Sequence, residues 1–370
     1  MGPYPKCHPR FGEGEGGPER AATNVAGMDF NFSWAGMQPN FHLLLLSTLC
    51  VLTGSLHAVW LLTEPPETRE ASQLLQNEDA CWFPILGSCV LLGLFVVLKY
   101  LGTDVIKTAI SCLVVLLATF AVGSNLDQFV ALVRGKASAP LFVVPLVGEA
   151  MTGPELLGFV AGGAMAAGFV ATKNWIINNV FGVSFCLFGI KMIGLSTYKT
   201  GTIMLAGLFV YDVFWVFGSK LVFGSNVMVS VAKGIDAPIK LIFPRSFGGC
   251  GSFSSAMLGL GDIVVPGLFI ALLAKFDAVK LAEKTARSFT YLATSMVAYA
   301  SSLVITVSIK LFFNAAQPAL LYIVPCLLVA SVGRAAVRDE AKELWELCIN
   351  EDAPQEDSKE APEDEHAKDK

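Results

Sequence analysis

Charge is the scarcest property of this sequence. Only 15% of its 370 residues are charged, against about 25% in an ordinary globular chain, whereas 54% are hydrophobic in addition to 34 glycines. Mean hydropathy is +0.59. So little charge cannot cover the surface of a soluble protein of this length, and the composition therefore indicates a membrane protein.

Basic clusters are also lacking, which disfavours a nucleic-acid-binding protein. The net charge of −5 comes from the C-terminal end, where residues 338–370 hold 13 of the 31 acidic and 5 of the 26 basic residues. The nine cysteines contain no Cys-x-x-Cys pair and most lie in apolar runs, so we interpret those as packing residues. We expect no metal and no cofactor.

Long apolar runs dominate the rest of the chain. A bilayer core of about 30 Å requires roughly 20 apolar residues as a helix, because every backbone polar group in hydrocarbon must be satisfied within its own segment. Nine runs meet that standard: 41–62, 82–101, 104–123, 156–172, 176–195, 201–218, 256–274, 289–311 and 316–333. The shorter run 139–147 contains two prolines and indicates an interfacial or re-entrant piece.

These runs predict an all-α polytopic membrane protein with nine transmembrane helices. Residues 1–40 form a flexible leader, 41–200 a first bundle, 201–333 a second region that holds the candidate site, and 334–370 an acidic, disordered tail. Residues 341–347 are compatible with a helical extension. In the fourth run, four glycines at small-xxx-small spacing indicate close helix contact: Gly158, Gly162, Gly163 and Gly168.

The orientation is predicted from two cues, because the counts of basic residues on the two sides nearly tie. Asn31 begins an Asn-Phe-Ser glycosylation sequon in the leader, which favours a luminal N-terminus. The densest basic loop, 275–287, then lies in the cytosol together with the C-terminus.

Two acidic residues stand inside apolar runs. Asp212 lies in the sixth run among aromatic residues, and Asp262 lies in the seventh, after a Gly-Leu-Gly sequence. Because an intramembrane carboxylate costs at least about 2.5 kcal/mol to insert, it indicates a functional site. For either residue alone, a helix cap or a satisfied hydrogen bond remains an alternative, and the aromatic residues around Asp212 are typical of packing.

Two carboxyl groups on adjacent helices fit the chemistry of an aspartic protease. Like charges at short range cannot both ionise, so the pair shares a proton and can activate a water molecule to attack a carbonyl. Tyr211 could donate a hydrogen bond at this site. Gly259 and Gly261 allow an unwound backbone and the close approach of an extended substrate near Asp262.

Three short motifs occur in a defined order along the second half of the chain. They are Tyr211-Asp212, then Gly259-Leu260-Gly261-Asp262, then Gln317-Pro318-Ala319-Leu320 at the opening of the last run. Each is weak alone, but the ordered set resembles the presenilin and signal peptide peptidase family of intramembrane aspartyl proteases. The longer sequences 207–218, 236–241 and 257–264 resemble the signal peptide peptidase branch.

This resemblance implies a presenilin-like fold and Asp212 and Asp262 as the catalytic pair, with Pro318, Ala319 and Leu320 shaping the site beside them. It implies remnant signal peptides and type II membrane proteins as substrates, and residence in the endoplasmic reticulum. A homo-oligomer or partners in a degradation complex are compatible with it. The chain departs from the family in two places: the segment 219–225 is longer than expected, and the C-terminus carries half of a dilysine signal at Lys368.

Two further functions stay open on sequence grounds. The two aspartates could form the relay of a proton-coupled transporter or channel, although residues 41–200 contain no second Tyr-Asp-like motif of the kind that repeated transporter halves would show. The chain could also serve as a non-catalytic membrane scaffold for the degradation of membrane proteins.

Overall fold

The fold is taken from a computed structural model of the chain. It describes residues 34–62, 73–101, 104–134, 139–143, 150–224, 227–234, 237–244, 255–284, 288–313 and 317–347. The sequon residue Asn31 lies outside these ranges, as do 1–33 of the leader and residues 348–370 of the predicted tail.

Helices make up most of the described chain. In order they are α1 Trp34–Leu62, α2 Asn77–Val96, α3 Asp104–Arg134, α4 Gly153–Thr172, α5 Trp175–Met192, α6 Tyr198–Val213, α7 Ser219–Phe223, α8 Val227–Gly234, α9 Gly261–Ala282, α10 Thr290–Phe313, α11 Leu320–Val337 and α12 Ala341–Glu346. Two π-helical turns, Val97–Leu101 and Phe214–Gly218, continue α2 and α6.

Local signals explain where several helices begin. Thr152 accepts a hydrogen bond from the backbone N–H of Glu155, whose side chain reaches back to the N–H of Thr152, a reciprocal capping box. Asn174 caps α5 and Thr197 caps α6 through their side-chain oxygens. These caps satisfy N–H groups that the helices cannot bond internally.

Three two-stranded sheets interrupt the predicted all-helical pattern. Strand β1 Gln73–Leu75 pairs in parallel with β4 Ile193–Leu195, and β2 Pro140–Val143 pairs antiparallel with β3 Ala150–Thr152. Strand β5 Lys240–Pro244 pairs antiparallel with β6 Ser255–Gly259. The apolar run 139–147 is thus, as far as it is described, an extended strand, as expected for a segment too short to span.

Among the described residues, eight helices are long and apolar enough to cross a bilayer. The polytopic membrane fold is thereby confirmed, but the count of nine stays a prediction. The prediction that 256–274 forms a single helical span was wrong. The first residues of this run form β6, and α9 begins only at Gly261. Helix α9 also carries Lys275, Asp277 and Lys280, so it holds more charged residues than the helices that it packs against.

The first part of the predicted tail is folded. Helix α11 runs to Val337, and after a short turn α12 packs back onto α6 and α11. Leu344 of α12 is buried, and Trp345 makes an edge-on ring contact with Tyr198 at the start of α6. Residues 334–347 are therefore folded, because they bury apolar side chains that a solvated tail would expose.

Helix α9 forms the centre of the bundle. It packs against α1, α5, α6, α10 and α11, and most of its residues are buried. Helices α3 and α4 meet closely through glycine as predicted: a Cβ on Gly158 would lie 2.7 Å from the Cα of Gly123, and one on Gly162 would lie 3.0 Å from Thr119. Gly163 does not take part, since no described atom would meet its Cβ within 4 Å.

Candidate active site

Asp212 lies in the last turn of α6 and is 3% exposed. The π-helical turn begins two residues later, at Phe214. Such turns are rare and occur frequently at functional sites. The aromatic residues that follow divide by environment: Trp215 is buried and donates from its ring nitrogen to Ser88 Oγ (3.1 Å), whereas Phe214 and Phe217 are exposed on the outer surface. The packing interpretation therefore fits Trp215, but not Phe214 and Phe217.

One hydrogen bond joins Asp212 to the start of α11. The backbone N–H of Leu320 donates to Oδ2 of Asp212 at 3.0 Å. A helix N-terminus presents unpaired N–H groups and a partial positive charge, which suits a carboxylate. The buried sequence Pro318-Ala319-Leu320 therefore contacts Asp212 through the backbone of Leu320, while the role of these three residues in shaping a site stays a prediction.

Asp262 is the second residue of α9 and is half-buried. In an α-helix its carbonyl would accept from the N–H four residues later, but that residue is Pro266, which has no N–H. The hydroxyl of Tyr299 on α10 supplies the missing donor, at 3.1 Å from the Asp262 carbonyl oxygen. Tyr299 is fully buried, so the start of α9 is held from its neighbouring helix.

Electrostatic interaction links the two carboxyl groups. Asp212 is among the charged groups that act on Asp262, as is Lys310 of α10. Two neighbouring carboxyl groups in surroundings of low polarity favour a state that carries one shared proton. The arrangement can therefore provide one acid and one base for the activation of water.

The β5–β6 hairpin leads directly into Asp262. Gly259 ends β6, and the N–H of Leu260 donates to the carbonyl of Ile239 just before β5. Neither Gly259 nor Gly261 takes a positive φ, so the predicted irregular backbone is an extended strand and a turn. A Cβ on Gly259 would stand 3.4 Å from Oδ2 of Asp262, which places the end of the strand beside that carboxyl group.

The remaining predicted site residues lie around this centre. Tyr211 is half-buried with its ring against Gly87 and Trp215, and within the described chain its hydroxyl makes no hydrogen bond. Its role as a donor stays a prediction. Gln317 is half-buried, with Oε1 3.5 Å from the hydroxyl of Tyr322.

Sequence reasoning missed three residues whose side chains bond to the backbone around the site: Tyr299, Asn178 and Asn179. The asparagines lie on α5 and bind β5 through their side chains. The only sequence signal for the asparagines was their polarity inside the fifth apolar run. The only signal for Tyr299 was Pro266, which stands four residues after Asp262.

Comparison with known proteins identifies the family. The model of the signal peptide peptidase family matches residues 67–351. The signal peptide peptidases of Mus musculus and Homo sapiens are each 35% identical over 317 residues, which cover 82% of this chain and 81% of theirs. Intramembrane protease 2 of Caenorhabditis elegans is 46% identical over 47% of this chain and 38% of its own.

Among solved structures, a presenilin family intramembrane aspartate protease is similar, with a TM-score of 0.45 and 16% identity over 80% of this chain and 99% of its own. At that TM-score the assignment rests on the family match and the relatives alone. The family match covers well over half of the chain, and two relatives exceed 30% identity across most of it. The chain therefore belongs to the signal peptide peptidase family and is an intramembrane aspartic endopeptidase.

Proposed function

We propose that Asp212 and Asp262 are the catalytic pair of this endopeptidase and that they hydrolyse peptide bonds within transmembrane segments. The observation that supports the proposal is that α6 and α9 pack together and bring two carboxyl groups within range of electrostatic interaction, with Asp212 bonded to the N-terminus of α11. One aspartate acts as base on a water molecule and the other as acid, so that the water attacks the scissile carbonyl.

The substrates that we propose are remnant signal peptides and type II membrane proteins. A helical substrate shields its scissile carbonyl with its own hydrogen bonds, so it must unwind locally. The outer edge of β6 can offset that loss by pairing with the extended substrate. Met257, in the middle of β6, is 40% exposed, and its outward N–H and C=O make no hydrogen bond to any residue that the structure describes.

Purified protein in detergent, mixed with a synthetic transmembrane peptide, tests the catalytic pair. We expect Asp212→Asn and Asp262→Asn each to abolish cleavage, because either change removes the acid–base exchange. Asp277→Asn is the matched control: Asp277 lies on α9 and accepts from the N–H of Leu292 at the start of α10, a capping role that asparagine keeps.

Labelling by a hydroxyl-bearing transition-state mimic gives a second reading of the same site. We expect the unmodified protein and Asp277→Asn to be labelled and the two site variants not. Full cleavage or full labelling by Asp262→Asn would refute the assignment of the pair. A peptide with a glycine pair near the scissile bond should be cleaved faster than its all-leucine counterpart, since its helix unwinds more easily.

Residence in the endoplasmic reticulum, with a luminal N-terminus and a cytosolic C-terminus, completes the proposal. The sequon at Asn31 and the basic loop 275–287 support this orientation. Expression in cells with and without Asn31→Gln tests it: a glycosidase-sensitive shift in mobility should occur only with Asn31 present. A C-terminal tag should be digested by protease added to intact microsomes, and a protected tag would reverse the orientation.

A further inference from the structure

Two asparagines on α5 occupy the outer edge of β5. Asn179 Nδ2 donates to the carbonyl of Ile242 at 2.8 Å, and the N–H of Ile242 donates back to Asn179 Oδ1 at 2.8 Å. Asn178 Nδ2 donates to the carbonyl of Lys240 at 2.7 Å. The Asn179 pair copies the two hydrogen bonds that an antiparallel neighbouring strand would make. Both asparagines are buried.

The same face of α5 also receives the apolar side of the hairpin. Gly182 follows Asn178 by one helical turn, and a Cβ there would lie 2.8 Å from Leu241 and 3.3 Å from Leu260. Leu260 is two residues from Asp262 along the chain. Helix α5 therefore fixes both the strand and the turn that precede the acidic residue of α9.

This arrangement leaves one side of the hairpin for pairing. Because backbone groups alternate along a strand, the N–H and C=O of Ile242 point to α5, while those of Leu241 and Phe243 point to β6. The outward groups of β6, at Met257, face away from β5. The position of the hairpin therefore fixes the register of any substrate strand that pairs with β6. If that strand slips by one residue, its side chains exchange faces.

Resting on the proposed function, we infer that Asn178 and Asn179 are positioning residues that determine which peptide bond of the substrate is cleaved. They act through β5. This strand holds β6, and hence the paired substrate, at a fixed position in space relative to Asp262. They do not touch the reacting atoms. Loss of these residues should therefore produce cleavage at several neighbouring peptide bonds and should also lower the rate of cleavage.

The test compares cleavage products of one transmembrane peptide by mass spectrometry, together with kcat and KM. Asn179→Ala removes both bonds to Ile242. Asn178→Ala removes the bond to Lys240 and the 3.3 Å bond from Asn178 Nδ2 to Asn179 Oδ1. The matched control is Asn125→Ala: Asn125 on α3 donates to the carbonyl of Ser184 at 2.8 Å, a side-chain bond to α5 of the same kind that does not involve the hairpin.

We expect Asn179→Ala to spread the products over neighbouring bonds and to lower kcat by about tenfold with a smaller change in KM. Asn125→Ala should keep the original cut. If Asn179→Ala does not fold, Asn178→Ala, which keeps both bonds between Asn179 and Ile242, provides the same test with a smaller expected spread of products.

Unchanged product positions in the folded asparagine variants, or an equal spread in Asn125→Ala, would overturn the inference while leaving the protease assignment intact. An unmodified protein that yields no products would instead refute the proposed function, and the positioning role with it.

Discussion

Replacing Tyr299 with phenylalanine removes one hydroxyl from the centre of the bundle. It should lower both thermal stability and kcat without altering the shape of the site. That hydroxyl is the donor to the Asp262 carbonyl, whose usual helical partner is lost at Pro266. Leaving a buried carbonyl without a partner costs about 1–3 kcal/mol. We expect the thermal stability of the variant to fall accordingly. If about 1.4 kcal/mol of that loss also appears in the transition state, kcat falls about tenfold.

Tyr291→Phe provides the matched control on the same helix. Tyr291 is as deeply buried as Tyr299, and its hydroxyl donates to Glu340 Oε2 at 2.7 Å, at the opposite end of α10 from the site. Its removal should lower stability and leave kcat unchanged. Equal kcat in Tyr299→Phe and the unmodified protein, or an equal loss of kcat in Tyr291→Phe, would refute the role of this hydrogen bond in holding Asp262.

Two further predictions concern stability. Gly158→Ile should lower the free energy of unfolding in detergent by about 1–3 kcal/mol, since its Cβ would meet the backbone of Gly123, whereas Gly163→Ile should have little effect, and equal losses would contradict the α3–α4 contact. Burial raises the pKa of Glu340, but hydrogen bonds from Lys280 and Tyr291 lower it more, so its pKa lies below the usual value of 4.5. Its contribution to stability is therefore complete above that value and is lost as the pH falls through the lower folded-state pKa. Glu340→Gln should be less stable at neutral pH and lose less on acidification, and parallel pH profiles in thermal unfolding would disprove this.

Hydropathy was sufficient to predict most of the helices, because a lipid-spanning segment must be both long and apolar. The same rule failed at 256–274. Ser255–Gly259 is as apolar as a helix would require, but it pairs with a second strand, β5, which the asparagines of α5 bind from its other side. Backbone groups satisfied by partners from elsewhere in the chain leave no periodic pattern in the strand itself. Residues 334–340 were assigned to the tail for a related reason, and 341–347 were expected only as a helical extension, since the acidic composition conceals the ion pairs from Lys280 to Glu340 and Glu343.

The candidate carboxyl groups could be found from the sequence because charge in an apolar run is costly and hence conspicuous. Of the two groups that hydrogen-bond to them, Leu320 was indicated by the family resemblance alone, and Tyr299 was missed. Leu320 acts through a backbone N–H, and Tyr299 acts through a hydroxyl that is needed only because Pro266 removes a donor. Neither residue type signals its role.

Both acidic residues are thus held through backbone groups at helix ends: Asp212 by the N–H at the start of α11, and Asp262 through its own carbonyl at the start of α9. Such contacts tolerate many side chains at the contributing positions but not a shift of the helix that presents them. It follows that substitutions which move α10 or α11 along their axes should reduce cleavage even when every side chain at the site is unchanged. Polar substitutions on the lipid-facing surface of α11, such as Val329→Ser at an exposed position, should leave cleavage intact. A loss of cleavage in a folded Val329→Ser variant would contradict this.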